Sequence, residues 1–308
     1  MRCRRATITK RRSSSMKKLL KATLFLGVVT AGARPVLAQQ PSTAAWDSVG
    51  RILGTTPASA AGYIRYNLPR RDLTVRIGDV TVAPALALGA WAGFSGEPND
   101  ATMMGDLVLT AAELGPVLAE LAHQRIGVTA IHNHIVGEQP EIIYVHILGQ
   151  GNALDLATRL DRALTKTGTP RPVAAAPPVP LTIDTGAVFA ALGRHGTARG
   201  NVAQVGFVLV SGTVTMGGRP MTPALAYGSP VNVQVVSPTR AVATGDFAVR
   251  DSSVAGVLDA LTAHGITATA MHSHMIGDSP HLDYIHFWAD GPLPDVLRGL
   301  RAAVDAGH

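Results

Sequence analysis

Cysteine is almost missing from this chain of 308 residues: the one example, Cys3, lies near the N-terminus. If residues 1–38 are a removable leader, as argued below, the remainder has neither a disulfide nor a thiolate ligand. Any transition-metal site must then use histidine, methionine or carboxylate. Charged residues are also sparse, at 16%, against 46% hydrophobic; this excludes a disordered chain and suits one large core or two ordinary ones. Acids are missing altogether from residues 1–38, which carry ten of the 27 Lys and Arg. The rest of the chain has 17 basic residues against 21 acidic ones, so the formal charge of +6 marks no basic patch on the folded part and no nucleic-acid partner is expected. Walker loops, Gly-x-Ser-x-Gly and Cys-x-x-Cys are absent. Gly149-Gln150-Gly151 makes a poor dinucleotide loop, because Leu154 stands where a third glycine belongs.

The basic opening, with Met16 as a candidate start, leads into a short apolar run, Leu24 to Val29, and then Val36 and Ala38 at the small-residue positions before a cut. This is the pattern of a secretory signal peptide over residues 1–38. The run is far too short for a bilayer core of about 30 Å, so no stable membrane span is expected after cleavage.

What the chain has in quantity is itself, twice. The segment from Met103 to Gly151 matches the segment from Ala243 to Gly291 at a constant offset of 140 residues. APALALG (83–89) likewise matches TPALAYG (222–228). The expected organisation is a first repeat over residues 42–168, a proline-rich linker over 169–180 and a second repeat over 181–305. Apolar spacing at Leu114, Val117, Leu118 and Leu121, with Thr110 and Glu113 as a capping box, predicts a helix that ends near Gly127. VTAIHNHIV and EIIYVHIL predict a hairpin around GEQP, and NALDLATRLDRAL a second helix. WDSVGRILG reads as a helix, and GYIRYNL, DLTVRIG and the stretch around ALGAWAGF as strands. The fold class is α+β: two tandem sandwich domains, each a mostly antiparallel sheet with helices packed on one face.

Seven of the 11 histidines fall in the two matched hairpins. Alternation along a strand puts His132 and His134 on one face, with Tyr144 and His146 at matching parity on the return strand. A turn centred on residues 137–140 would set His132 opposite His146 and His134 opposite Tyr144. The second copy repeats this with His272, His274, Tyr284 and His286 and adds His281. Three imidazoles converging on one patch of sheet suit a divalent metal, with Glu138 and Asp278 in the turns as possible extra ligands. Zinc comes first, with copper, nickel or iron open, since imidazole binds all of them. The metal-free reading is a set of hydrogen-bonded core histidines. Asp106 and Asp246, each after a glycine, read as turn residues ahead of a short strand. Met103, Met104, Met271 and Met275 raise copper as a candidate, but Met271 and Met275 have the parity opposite to the histidines and read as core.

On these residues, NLPRRDLTVRIGDVTVAPALALGAWAGF, GDLVLTAAELGPVLAELAHQRIGVTAIHNHIVGEQP and YVHILGQG with their second-half counterparts, the chain resembles the LppY/LpqO family over residues 42–305. The resemblance implies a secreted bacterial protein with a domain of unknown function. Some members are lipoproteins; the lipobox cysteine they need is missing here, which points to a free periplasmic or exported protein. The function expected from the residues is that of a secreted or periplasmic metal-binding protein, with a possible small-molecule ligand. The alternatives are a metal-dependent hydrolase or oxygenase using an open three-histidine site, and a non-catalytic structural or binding domain.

Overall fold

The computed structural model describes residues 43–174 and 180–308. The expected signal peptide lies outside the described residues, as does the middle of the expected linker, residues 175–179. The first copy runs α1 Thr43–Leu53, β1 Pro57–Ala60, β2 Tyr63–Pro69, the short β3 Arg76–Ile77 and β4 Val80–Thr81, α2 Pro84–Ala87, β5 Gly89–Glu97, β6 Asp100–Thr110, α3 Ala111–His123, β7 Gly127–His132, β8 Ile142–Gly151 and α4 Ala153–Leu164. The second runs α5 Thr185–Leu192, β9 Thr197–Arg199, β10 Val202–Phe207, β11 Thr215–Met216, β12 Arg219–Pro220, α6 Pro223–Ala226, β13 Ser229–Ser237, β14 Arg240–Val249, α7 Asp251–Ala263, β15 Thr267–His272, β16 Asp278–Ser279, β17 Asp283–Gly291 and α8 Leu293–Ala306. Each copy builds a six-stranded sheet of one topology, β1-β2-β5-β6-β8-β7 and β9-β10-β13-β14-β17-β15, antiparallel throughout. The α+β class with two tandem similar domains is therefore what the chain adopts.

The two faces of each sheet meet different neighbours. On β6 and β8 the odd-numbered Leu107, Leu109, Val145 and Ile147 enter one core with Val117 and Leu121 of α3 and Leu156 and Leu160 of α4. The even-numbered Met104, Asp106, Tyr144 and His146 point the other way, where Met104 packs with Tyr227, Met275 and Tyr284 of the second copy. Because helices cover one face and the other copy covers the second, β6 is buried along almost its whole length. Such a strand shows no apolar–polar alternation, and this is why its 11 residues, in the middle of the sheet, read in the sequence as a turn before a short strand. DLTVRIG differs in the other sense: only Arg76–Ile77 pairs as a strand.

The copies are joined by side chains that satisfy short segments of the opposite backbone. Gln234 accepts from Ala83 N–H at 2.9 Å and donates to the Thr81 carbonyl at 2.9 Å. Gln204 and Asn232 donate to the carbonyls of Ala85 and Leu86 at 2.9 and 3.0 Å. Helix α2 of the first copy thus lies on β10 and β13 of the second. Its four residues would leave carbonyls unpartnered at their end, and the second copy supplies the donors. Arg70, 1% exposed, ties β2 to α3 by contacts of 2.7 Å to both Asp72 and Glu113. Glu113 also accepts from Thr110 N–H at 2.8 Å, which completes the expected capping box. The helix ends at His123 rather than near Gly127. Among the described residues, no helix is long and apolar enough to cross a membrane.

A six-histidine candidate metal centre between the repeats

The site begins with a glycine and an aspartate in the central strand of each sheet. Gly105 and Gly245 sit where the neighbouring strand passes close: a Cβ on Gly105 would lie 2.5 Å from the Trp91 carbonyl oxygen. That approach lets the next residue face the inter-repeat side directly beside a histidine, Asp106 opposite His146 and Asp246 opposite His286. Each of these histidines is then held through Nδ1 by the glycine carbonyl, at 3.3 Å for His146 to Gly105 and 3.2 Å for His286 to Gly245. A carbonyl can only accept, so Nδ1 carries the proton and Nε2 keeps its lone pair. Both Nε2 atoms are buried without a hydrogen-bond partner.

The hairpin has a different register from the one alternation suggests. A bulge at Thr129 shifts the pairing so that Ala130 faces His146 and His132 faces Tyr144. The second copy has the same bulge at Thr269. His134 lies beyond the end of β7, in the segment that leads to the turn, and it does not pair with Tyr144. This change has a structural consequence: freed from the strand, His134 reaches the other repeat. Its ring lies 3.9 Å from that of His286, and its backbone carbonyl accepts from Thr269 Oγ1 at 2.7 Å. His274 makes the reciprocal approach, 3.7 Å from His146. His132 and His272 stack across the middle at 4.1 Å.

Six of the seven hairpin histidines thus gather in one cluster, made by both copies; His281 stays outside it. Three triplets have ligand nitrogens within 4.8 Å of one another: His132, His134, His286; His132, His146, His272; and His272, His274, His286. Two of the three draw on both repeats. The tyrosines stay outside the donor set, since Tyr144 and Tyr284 donate to the carbonyls of Ala87 and Ala226 at 2.9 and 2.8 Å. Glu138 and Asp278 belong to none of the triplets. They accept from the N–H groups of Ile142 and Leu282 at 3.0 and 2.9 Å and so brace their own turns. Met275 is buried as expected, but in the core between the copies on the side the histidines share, because it lies beyond the end of β15 where strand parity no longer applies; Met271 is 57% exposed rather than core.

Sequence reasoning missed Asp106 and Asp246 as members of this site. They are buried mid-strand residues, not turn residues. His134 lies 3.4 Å from an oxygen of each, and His286 Nδ1 is 2.5 Å from Asp246. A usable signal was present in the Gly-Asp pair repeated at the same 140-residue offset as the histidines.

Electrostatics divides the cluster. Burial, reinforced by the surrounding imidazoles, drives His132 and His274 far below the ordinary histidine value and His272 down to about 3. Burial also depresses His134, but Asp246 and Asp106 outweigh it and the net direction is upward. Burial would likewise raise both aspartates, and the neighbouring histidines overcome it and hold them below the usual carboxylate range. Burial thus disfavours the charged form of His132, His272 and His274, whereas the two carboxylates favour it on His134, which sits between them. The buried nitrogens without hydrogen-bond partners are both ring nitrogens of His132 and of His272 and the Nε2 atoms of His134, His146, His274 and His286. Each buried unsatisfied polar group costs about 1–3 kcal/mol. A divalent ion would satisfy several at once, so the donor set fits a metal.

A cavity of about 1550 Å³ between the copies reaches this centre and is lined there by Asp106, His134, His146, Asp246 and His274. Access for an ion or a small molecule is thus part of the fold.

No curated protein matches this chain. Among solved structures it is similar at 12% identity to EtuB from Clostridium kluyveri, over 81% of this chain and 89% of that one, with a TM-score of 0.20. A second, the double-ringed trimeric shell protein MSM0271 from the RMM microcompartment, shares 8% identity over 70% and 86% of the two chains, with a TM-score of 0.17. At such scores neither carries an argument about this fold or its function. Residues 47–166 and 186–306 each match the family model described as Domain of Unknown Function (DUF1259), and the chain belongs to that family, with two copies of its domain.

Proposed function

We propose that this is a metal-binding protein whose two repeats pool their histidines into one shared centre for a divalent cation, zinc before copper, nickel or iron. The single observation that carries the reading is the set of buried imidazole nitrogens without partners, drawn from both copies and spaced within 4.8 Å in three overlapping triplets. Six rings packed without an ion leave a large, uncompensated desolvation cost; an ion coordinated by three or four of them removes it. Asp106 and Asp246 act as the outer carboxylates that orient the rings and balance the charge. Glu138 and Asp278 are not part of the donor set.

A metal-dependent hydrolase or oxygenase is the second reading. The cavity that ends at His134, His146 and His274 favours it, since a three-histidine ion facing that space keeps a coordination position open for water or a small-molecule ligand. Location in the periplasm or outside the cell remains part of the proposal, resting on the leader pattern and on the resemblance to the LppY/LpqO family.

The test is the metal content of the full chain purified without added metal, measured by inductively coupled plasma mass spectrometry. About one divalent ion per chain is expected, falling to background in the His132→Ala plus His272→Ala variant, which removes a ligand from every triplet. Background metal in the folded parent, unchanged after incubation with zinc and gel filtration, would end the reading.

A further inference from the structure

Three positions at which the second copy departs from the first meet in space. Ser273, Asp278 and His281 stand where the first copy has Asn133, Glu138 and Glu141. Glu138 and Asp278 share a task, since each accepts from the backbone N–H four residues on. The second oxygen of Asp278, Oδ1, lies 3.0 Å from His281 Nδ1. The opposite ring nitrogen, Nε2, lies 3.3 Å from Ser273 Oγ. In the first copy Asn133 supplies no hydroxyl and Glu141 no imidazole, so the arrangement is confined to the second.

The geometry follows the logic of an activated nucleophile. A carboxylate at Nδ1 orients the ring and favours the tautomer whose Nε2 accepts from the Ser273 hydroxyl, with Asp283 Oδ1 farther off at 4.0 Å from the same nitrogen. The Asp278 side chain is 1% exposed and β16 pairs its residue with Met216, so the orienting group is anchored in the fold. The His281 side chain is 54% exposed and reachable from solvent. The Ser273 hydroxyl also contacts the Leu282 carbonyl at 3.0 Å, a second acceptor from which its proton can rotate toward His281. Beside it in the chain, Met271 and Ile276 are 57% and 68% exposed and offer an apolar surface.

We propose that Ser273, His281 and Asp278 form a second, metal-independent site that cleaves esters with small apolar acyl groups. Ser273 Oγ attacks the acyl carbon while its proton passes to His281 Nε2. The bond to the alcohol oxygen breaks, and the alcohol leaves with that proton. Water then attacks the acyl-serine with His281 as base, releasing the carboxylic acid and restoring the hydroxyl. Asp278 is a positioning residue throughout. The metal centre takes no part, so the two readings stand or fall separately.

The experiment uses the full chain, treated with diisopropyl fluorophosphate and peptide-mapped, and assayed with p-nitrophenyl butyrate in the presence and absence of EDTA. The expected result is a covalent adduct on Ser273 and turnover that persists in EDTA. Turnover should fall about 100-fold or more in Ser273→Asn and in His281→Ala. Ser273→Asn places the first copy's residue in the second and should keep the parent's metal content and melting temperature; Ser273→Ala is run beside it as a smaller change. An adduct absent or placed on another residue, or turnover unchanged in a folded Ser273 variant, would overturn the proposal.

Discussion

The most informative perturbation is the stepwise removal of His132 and His272 while zinc-linked stability is followed. Each of these rings belongs to two of the three triplets. Replacing His132 by alanine leaves His272, His274 and His286; replacing His272 leaves His132, His134 and His286. Replacing both leaves no triplet. A ligand at 100 times its dissociation constant stabilises the folded state by about 2.7 kcal/mol. For a folded unit of this size each kcal/mol moves the melting temperature by about 2–4 °C, so metal-stripped parent should gain about 5–10 °C when zinc is added at that ratio. The single variants should gain less at the same zinc concentration, and the double variant nothing. The metal-stripped double variant supplies the control. Because both nitrogens of each removed ring were unpartnered, their loss relieves desolvation while opening a cavity, and the melting temperature should stay within a few degrees of stripped parent. Differential scanning fluorimetry after chelation reads both quantities. A parent that zinc does not stabilise, together with a double variant melting more than about 10 °C lower, would refute the reasoning: the histidines would then serve the fold.

Other consequences can be checked by simpler means. Gly105→Ala would drive a Cβ to within 2.5 Å of the Trp91 carbonyl and displace the strand that presents Asp106, so urea unfolding should show a loss of about 3 kcal/mol or more, with metal content reduced. For the metal-free protein, burial holds His272 near 3 while the unfolded chain takes up its proton near 6.5. The unfolded state therefore binds more protons below pH 6.5, and stability is lost as pH falls. Between pH 7 and 5, above the range where ordinary carboxylates titrate, His272 alone should lower stability in urea by about 1–2 kcal/mol after a discount for partial exposure, with His132 and His274 acting in the same direction and His134 in the opposite one; bound zinc should suppress the net drop. A flat profile in the stripped protein would contradict the buried neutral rings. Arg70→Met strips the buried partner from Glu113 and Asp72 and should cost about 3–5 kcal/mol in the same assay, with metal content unchanged.

Much of this organisation is legible in the residues because the chain states its pattern twice. The 140-residue offset fixes which histidines correspond, and parity alone places His132, Tyr144 and His146 on one face whichever register the hairpin takes. The capping box at Thr110 and Glu113 is likewise local chemistry. What is hidden depends on contacts remote in sequence. β6 is buried on both faces and carries no alternation, so Asp106 cannot be assigned to a strand until the second copy is seen against it. The bulge at Thr129 moves the register, and no pattern of apolar residues announces a bulge. Pooling of the two hairpins is a property of how the repeats pack, carried by Gln234, Gln204, Asn232 and Thr269, none of which stands out in the sequence. Glu138 and Asp278 have metal-ligand chemistry but spend it on their own turns.

The central claim is that imidazoles from both repeats hold one common ion, and anomalous diffraction at the zinc absorption edge, from crystals of the full chain grown with zinc, tests it most directly. A single strong peak is expected in the middle of the cluster, about 2.0–2.1 Å from nitrogens contributed by both copies. Two separate peaks, each bound within one repeat, or a peak only at surface residues with the six rings left bare, would contradict it.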